Sequence, residues 1–469
     1  MEEPLHLLRR IYRRYLVRYS WARKLKPFVL RAWFGARHIR YVAGWWFSFL
    51  HATACNLFRK LPVSVHFKNW FASWAGQAAE AREIFFSMIA LGEYCKVDKP
   101  QTYTLVTADS VVLGMPQVYP EHFKERLQTG LWTLATPSVQ AIEIPDGEVM
   151  GKCDFVFAQS RCLHHGLYRW ERDLPAEEMH GMLRIDSKRK RVALYARKKE
   201  AARSLPRAIS LIGSASANYV HWLTEILPKL ALVDEIDAFK DYPLIIDSEL
   251  HPNVIESLNL LNTDGRELVT LERGRLCKVG QLISISPVAY APFDYRRGVD
   301  LERLKIDPSW AMFVPHGLLA LREKLLSRLG GNGPVQSRRL YLRRTSQFRT
   351  MCNAAEVEAL LRESGFQVIE PETLSFAEQI RLFSEAESIV AQAGAALGNI
   401  IFAPQGCRVI ILSAWSPYNI YYYFSNLASI FEQKCAYVLC EPVSQGSNVH
   451  PAHKDLKVDI QALKEAIDQ

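Results

Sequence analysis

Apolar positions along this chain repeat with two different periods, and the change from one to the other divides it into regions. Leu8, Ile11, Tyr12, Tyr15, Leu16 and Tyr19 recur every three or four residues, with Arg9, Arg10, Arg13, Arg14 and Arg18 between them. That spacing predicts a helix with one apolar-aromatic face and one Arg face. An uncharged run from Tyr41 to Phe58 follows, containing Trp45, Trp46 and Phe47. Residues 76–92 (GQAAEAREIFFSMIALG) read as a further helix. From about 100 to 200 the period shortens into the runs TYTLVTA, SVVLG, VQAIEI, FVFA and RVALYA, separated by turn residues such as PDGEVMG. These predict a small β-rich region.

Beyond residue 200, strands and helices alternate. LPRAISLIG (205–213) reads as a buried strand, followed by a polar loop and a helix from about Asn218 to Val233. PLIID (243–247), a helix over HPNVIESLNLL and a strand over CKVGQLISIS continue the pattern. The last third predicts strand RRLYLRR (338–344), helix Asn353–Ser364, strand FQVIE (366–370) and helix Phe376–Glu385. Strand SIVAQ (388–392), helix Ala395–Phe402, strand CRVIILS (407–413), a helix at about 418–431 and strand AYVLC (436–440) complete it. Alternation with short connections implies a parallel, doubly wound sheet, so the expected class is α/β with two Rossmann-like halves facing a cleft. The Gly330-Gly331-Asn332-Gly333-Pro334 stretch is the natural linker. The expected organisation is a basic aromatic segment over 1–75, an N-terminal domain over 76–330 that includes the β-rich region, and a Rossmann-like domain over 331–469.

Charge sharpens this division. Of 58 Lys and Arg, 11 lie in residues 1–40 against two acids, so that segment carries the whole net charge of +9. A basic groove across the fold, and with it nucleic-acid binding, is not expected. Aromatic rings beside Arg suit the headgroup zone of an anionic bilayer. The 41–58 run contains His51 and Asn56 and sits at the bottom of the ~17–25 residues that a spanning helix needs. A segment lying on the membrane, basic side toward the cytoplasm, is the expectation; spanning, or packing as an ordinary surface helix, are the alternatives. No secretory signal peptide is apparent, because Arg interrupts each stretch that could form its apolar core. Nine cysteines without a C-x-x-C pair point to reduced thiols rather than disulfides or a zinc site.

Three groups of residues could carry chemistry. His221 and Glu225 share a helix face, with Asn218 at the helix start, so Glu225 could serve as a general base; a plain cap on an amphipathic helix is the alternative. Arg343 and Arg344 end a strand, with Arg349 in the next loop and Asn353 placed to cap the following helix; guanidinium forks match phosphate oxygens. The turn Gln392-Ala393-Gly394-Ala395-Ala396-Leu397-Gly398-Asn399 combines small residues with a helix start, which would let backbone N–H groups approach a diphosphate. A structural turn is the competing reading. No G-x-G-x-x-G, P-loop or D-x-D occurs, so neither a dinucleotide oxidoreductase nor a divalent-metal clamp is expected.

Taken together, NYVHWLTEILPKL (218–230), LYLRR…R…N (340–353) and SFAEQIRLFSEAESIVAQAGAALGNIIFAPQGCRVIIL (375–412) resemble glycosyltransferase family 61 over roughly residues 100–435. The resemblance implies an inverting, metal-independent GT-B transferase that uses a nucleotide sugar and no cofactor. It implies Glu225 as general base, His221 and Asn218 on the acceptor side, and Arg344 with Arg349 on donor phosphate. Glu378 would contact ribose or sugar, and backbone from Gly394 through Ala395 and Ala396 to Leu397 would hold the diphosphate. The acceptor would be a glycan or glycolipid of capsule or lipopolysaccharide type, at the inner face of a bacterial cell membrane. One position departs: many members carry His where this chain has Ala393. That departure favours the competing expectation of a catalytically inert, membrane-attached assembly or regulatory module.

Overall fold

The carboxyl-terminal third builds the sheet that its alternating pattern predicts. In the computed structural model, which describes residues 82–127, 130–196, 203–304, 306–329, 337–344, 349–443 and 454–469, six strands run parallel. Their order is Gln367–Ile369, Arg338–Leu342, Ala386–Gln392, Arg408–Ala414, Lys434–Cys440 and Gln117–Tyr119. Ile389, Val390, Val409, Ile411 and Val438 are almost completely buried, as expected of strands covered on both faces. The first five strands follow the order 2-1-3-4-5 by chain position. The connection direction therefore reverses between Arg338–Leu342 and Ala386–Gln392, and ligands of such sheets bind outside the strand ends at that point. The sixth strand comes from far earlier in the chain, at Gln117–Tyr119, and nothing in the local pattern announces it.

The second sheet has eleven strands and is mixed. Leu276–Ile285, Arg203–Ser210, Leu244–Asp247 and Leu268–Leu271 are mutually parallel. Val139–Met150 joins them antiparallel to Leu276–Ile285 and leads into the β-rich part. Arg82–Ala90 belongs to that part, so from residue 82 the helix expected over 76–92 is a strand. It pairs with Arg191–Ala196 on one side and Arg161–His164 on the other. Ladders on both sides satisfy the backbone of an Ile- and Phe-rich run, which outweighs its helical spacing; the helix begins only at Leu91.

Both sheets lie within one compact unit, residues 82–469, and one apolar cluster joins them. Its centre is a helical segment from Tyr219 to Val233 packed on the 3-10 helix Ala395–Phe402. Trp222 is fully buried there and donates its indole N–H to Ser257 Oγ at 2.8 Å. At the crossing sits Gly398, where a Cβ would lie 3.2 Å from Val220 Cγ2 and 3.3 Å from Val220 Cα. The helix expected before residue 20, the run 41–58 and the 330–334 linker lie outside the described residues. Cys95, Cys153, Cys162, Cys277, Cys352, Cys407, Cys435 and Cys440 are free thiols.

The crossing predicts a specific sensitivity. Gly398→Leu should destabilise the protein by about 1–3 kcal/mol through overpacking against Val220 and Leu223, read as a lowered urea midpoint at unchanged m-value. An unchanged midpoint would mean that the two helices are not held as closely as described.

Candidate functional site

The first cavity lies at the carboxyl end of strand Arg203–Ser210, where residues 213–218 turn into the Tyr219–Val233 helix. Asn218 begins that helix as its cap, its side-chain oxygen accepting from Val220 N–H at 3.2 Å. Trp222–Ile226 is a π-helical turn, the kind of insertion that recurs at functional positions. It carries Glu225 to the cavity wall beside His221. His221 Nδ1 and Glu225 Oε1 are 2.5 Å apart, and each side chain is about one-quarter exposed, 22% and 24%. Burial alone would depress the imidazole pKa, but Glu225 outweighs it and the net shift is upward. Tyr423 packs against this pair, its ring centroid 5.7 Å from that of His221, and its hydroxyl shares a hydrogen bond with Thr224 at 2.7 Å.

The same cavity contains residues that pattern reading did not single out. Asp154 and Lys229 both line it. Asp154 accepts the N–H of Ser214 at 3.1 Å and its hydroxyl at 2.5 Å. Behind Asp154, Glu177 is completely buried and accepts the Asp154 N–H at 2.6 Å. Burial, with Asp154 close by, pushes the Glu177 carboxyl up to about 8. Burial pulls the Lys229 amine down, opposed by Asp154 and Glu225. Asp247, at the end of the neighbouring strand, pins the loop by accepting from Gly213 N–H, Ser216 Oγ–H and Lys152 N–H. The only local hint of these roles was the position of Asp247 as the last residue of a buried strand.

The second constellation occupies the reversal point of the parallel sheet. Arg344 follows one central strand and Gly394 the other. A Cβ at Gly394 would lie 2.4 Å from Arg344 Nη1, so a larger residue there would displace the end of that guanidinium. Arg349 has positive φ, +59°, and turns back to donate to the Ala393 carbonyl at 3.0 Å; Gln392 donates to the Arg349 carbonyl in return. Both Arg Nε atoms are buried without a partner. Burial and the neighbouring Arg344 bring Arg349 down to about 10. Arg349, Gln392 and Ala393 open onto a cavity of about 120 Å³ whose wall also includes Asn419, Tyr421, Phe424 and Lys454. Two crowded guanidiniums with no carboxylate ion pair among the described residues form a ready anion site.

Several expected residues lie elsewhere. Arg343 is not available to phosphate, because its guanidinium is bound to Glu358 at 2.6 Å and Glu370 at 2.8 Å. Glu378 is engaged in a capping box with Ser375, which holds its carboxyl below the usual range through Ser375 hydrogen bonds. Asn399 is fully buried, accepting from Tyr219 Oη–H at 2.7 Å and donating to Gln379 at 2.6 Å. Asn353 does not cap its helix; it bridges the backbone N–H and C=O of Val458 instead. Leu397 is buried and its N–H returns to the Gly394 carbonyl, which leaves the turn at Gly394, Ala395 and Ala396 as the backbone nearest Arg344.

The two cavities share no lining residue. They are adjacent through the helix Tyr422–Ile430, whose Tyr423 touches the His221 pair while Phe424 lines the Arg349 cavity. Residues 219–410 match the family model described as Glycosyltransferase 61. That span, somewhat under half of the chain, contains Glu225, Arg344, Arg349 and Gly394, and excludes Asp154. It supports a glycosyltransferase domain, with a sugar donor and a glycan acceptor in general. No curated protein matches the chain.

Two measurements test this geometry. Arg344→Ala and Arg349→Ala should each weaken inorganic pyrophosphate binding about tenfold or more, the loss of roughly 1.5–3 kcal/mol typical of a charge-assisted contact, while Arg343→Ala leaves it unchanged by calorimetry. Equal losses in all three would contradict the assignment. The His221–Glu225 pair stabilises the fold fully below the unfolded imidazole pKa of about 6.5, and that contribution disappears as pH rises through the raised folded value. By NMR titration, Glu225→Gln should move the His221 midpoint down; an unmoved midpoint would show that the pair is not coupled.

Proposed function

We propose that this chain is an inverting, metal-independent glycosyltransferase of GT-B type that moves a sugar from a nucleotide-sugar donor to a glycan or glycolipid acceptor. The observation that carries the reading is the unpaired Arg344–Arg349 couple against Gly394, at the one place in the parallel sheet where a diphosphate is expected. The donor diphosphate would lie across those guanidiniums and the first N–H groups of the helix at Ala395, which favour anionic charge. Their positive charge performs the neutralisation that a divalent ion would otherwise supply. The sugar would then extend past Tyr423 and Phe424 toward Glu225.

In the transfer step, Glu225 takes the proton of an acceptor hydroxyl as that oxygen forms the new bond to the anomeric carbon. The bond from the same carbon to the diphosphate breaks, and its electron pair leaves on phosphate oxygen, toward the Arg couple. Attack and departure on opposite faces invert the anomeric centre. His221 holds the Glu225 carboxylate in place through their side-chain contact. Ala393 supports the alternative of an inert module, but Arg349 already reaches the backbone at that position with its Nε still unpaired, so cationic contact is preserved without a side chain at 393. The basic, aromatic segment 1–75 supports placing the enzyme at the inner face of a bacterial membrane, in surface polysaccharide assembly.

Glu225→Gln should keep nucleotide-sugar affinity in calorimetry and lose about 10²–10⁴-fold in transfer rate, the range for a positioned base. Near wild-type turnover would remove Glu225 from that role. Failure of the wild-type protein to bind any UDP-, GDP- or CMP-sugar, with or without Mg²⁺, would overturn the donor assignment.

A further inference from the structure

The first cavity contains more than a base needs. Asp154 presents a carboxylate to it whose two oxygens each accept only one hydrogen bond from Ser214, leaving lone pairs free for a ligand. Lys229 brings an ammonium to the same cavity and makes no ion pair among the described residues. Phe293 also lines this cavity, yet is 43% exposed, one of few large apolar side chains so placed. His180 braces its ring edge-to-face, the centroids 5.9 Å apart. Such a ring offers the cavity a flat aromatic face on which a ligand can pack.

Resting on the glycosyltransferase reading above, we propose that this cavity is an acceptor subsite for a pyranose, whose apolar ring face packs on Phe293 and whose neighbouring hydroxyls bond to Asp154 and Lys229. A sugar ring offers both faces of this chemistry. Its axial C–H groups, polarised by adjacent oxygens, suit the negative face of an aromatic ring. Its vicinal hydroxyls donate to a carboxylate and accept from an ammonium. A serine or threonine hydroxyl on a peptide offers one donor and no flat C–H face, so this site selects sugar acceptors over peptide hydroxyls.

Saturation-transfer NMR on the full-length protein tests this, with methyl glycosides of glucose, galactose and mannose as probes and an acetylated serine peptide amide as the contrast. The ring protons of at least one glycoside should be saturated and the peptide should not. Phe293→Ala should weaken that glycoside about tenfold and Phe293→Trp should restore it; Asp154→Asn should also weaken it. Undiminished binding in Phe293→Ala, peptide binding alone, or no glycoside binding would each overturn the proposal. Calorimetry with nucleotide sugars on the same samples separates the two readings. Lost nucleotide binding beside intact glycoside saturation strikes the enzyme assignment and reduces the acceptor subsite to a sugar-binding cavity, whereas intact nucleotide binding without glycoside saturation strikes the subsite alone.

Discussion

Positive charge without a carboxylate ion pair among the described residues is the constraint at the reversal point of the parallel sheet. Arg344 lies close enough to Arg349 to lower its pKa, both are partly drawn away from solvent, and neither makes a carboxylate ion pair among the described residues, although Glu372 acts electrostatically on Arg344. Such an arrangement costs stability, and removing one partner from a buried ionic group is among the more damaging changes a fold can suffer. The cost persists at the one point where a parallel sheet reverses its winding, and where Gly394 leaves just enough room for a guanidinium.

The other cavity solves the opposite problem. It sets a carboxylate, Glu225, against a histidine one turn away on the same helix. The π-helical turn matters to that geometry, since an extra residue in the turn redirects Glu225 without interrupting the helix on either side. Asp154 and Lys229 stand beside the pair, and the buried Glu177 backs Asp154 from a third stretch of chain. Between the cavities, the close crossing at Gly398 and the paired Tyr423 and Phe424 keep two chemically unlike sites next to each other within one core.

Charged residues of the same type, a few positions apart, have entirely different fates. Arg343 and Arg344 are neighbours, yet one is spent on Glu358 and Glu370 while the other faces Gly394. The difference lies in the neighbours: Glu358 and Glu370 come within ion-pair distance of the Arg343 guanidinium, whereas Glu372 acts on Arg344 without forming an ion pair. Glu378 shows the same economy, its carboxylate needed to complete the start of its own helix. Asn399 is engaged by Tyr219, a residue 180 positions away.

Periodicity in the chain by itself determined most of the elements after residue 200, the parallel character of the last sheet and the candidacy of Glu225, His221, Arg344 and Arg349. These are local signals: hydrophobic spacing reports burial within a few residues, and strand-end arginines report where a phosphate could sit. Tertiary structure decided the rest. Residues 82–90 became a strand because two distant strands supply ladders on both sides, and residues 117–119 completed a sheet that begins more than two hundred residues later. Asp154 from the β-rich region, Lys229 from the helix bearing Glu225 and Phe293 from a later loop met in one cavity only through tertiary packing. Which arginine stays unpaired, and which carboxylate is a cap rather than a ligand, depends on neighbours brought together by packing, and no period in a linear pattern encodes those meetings.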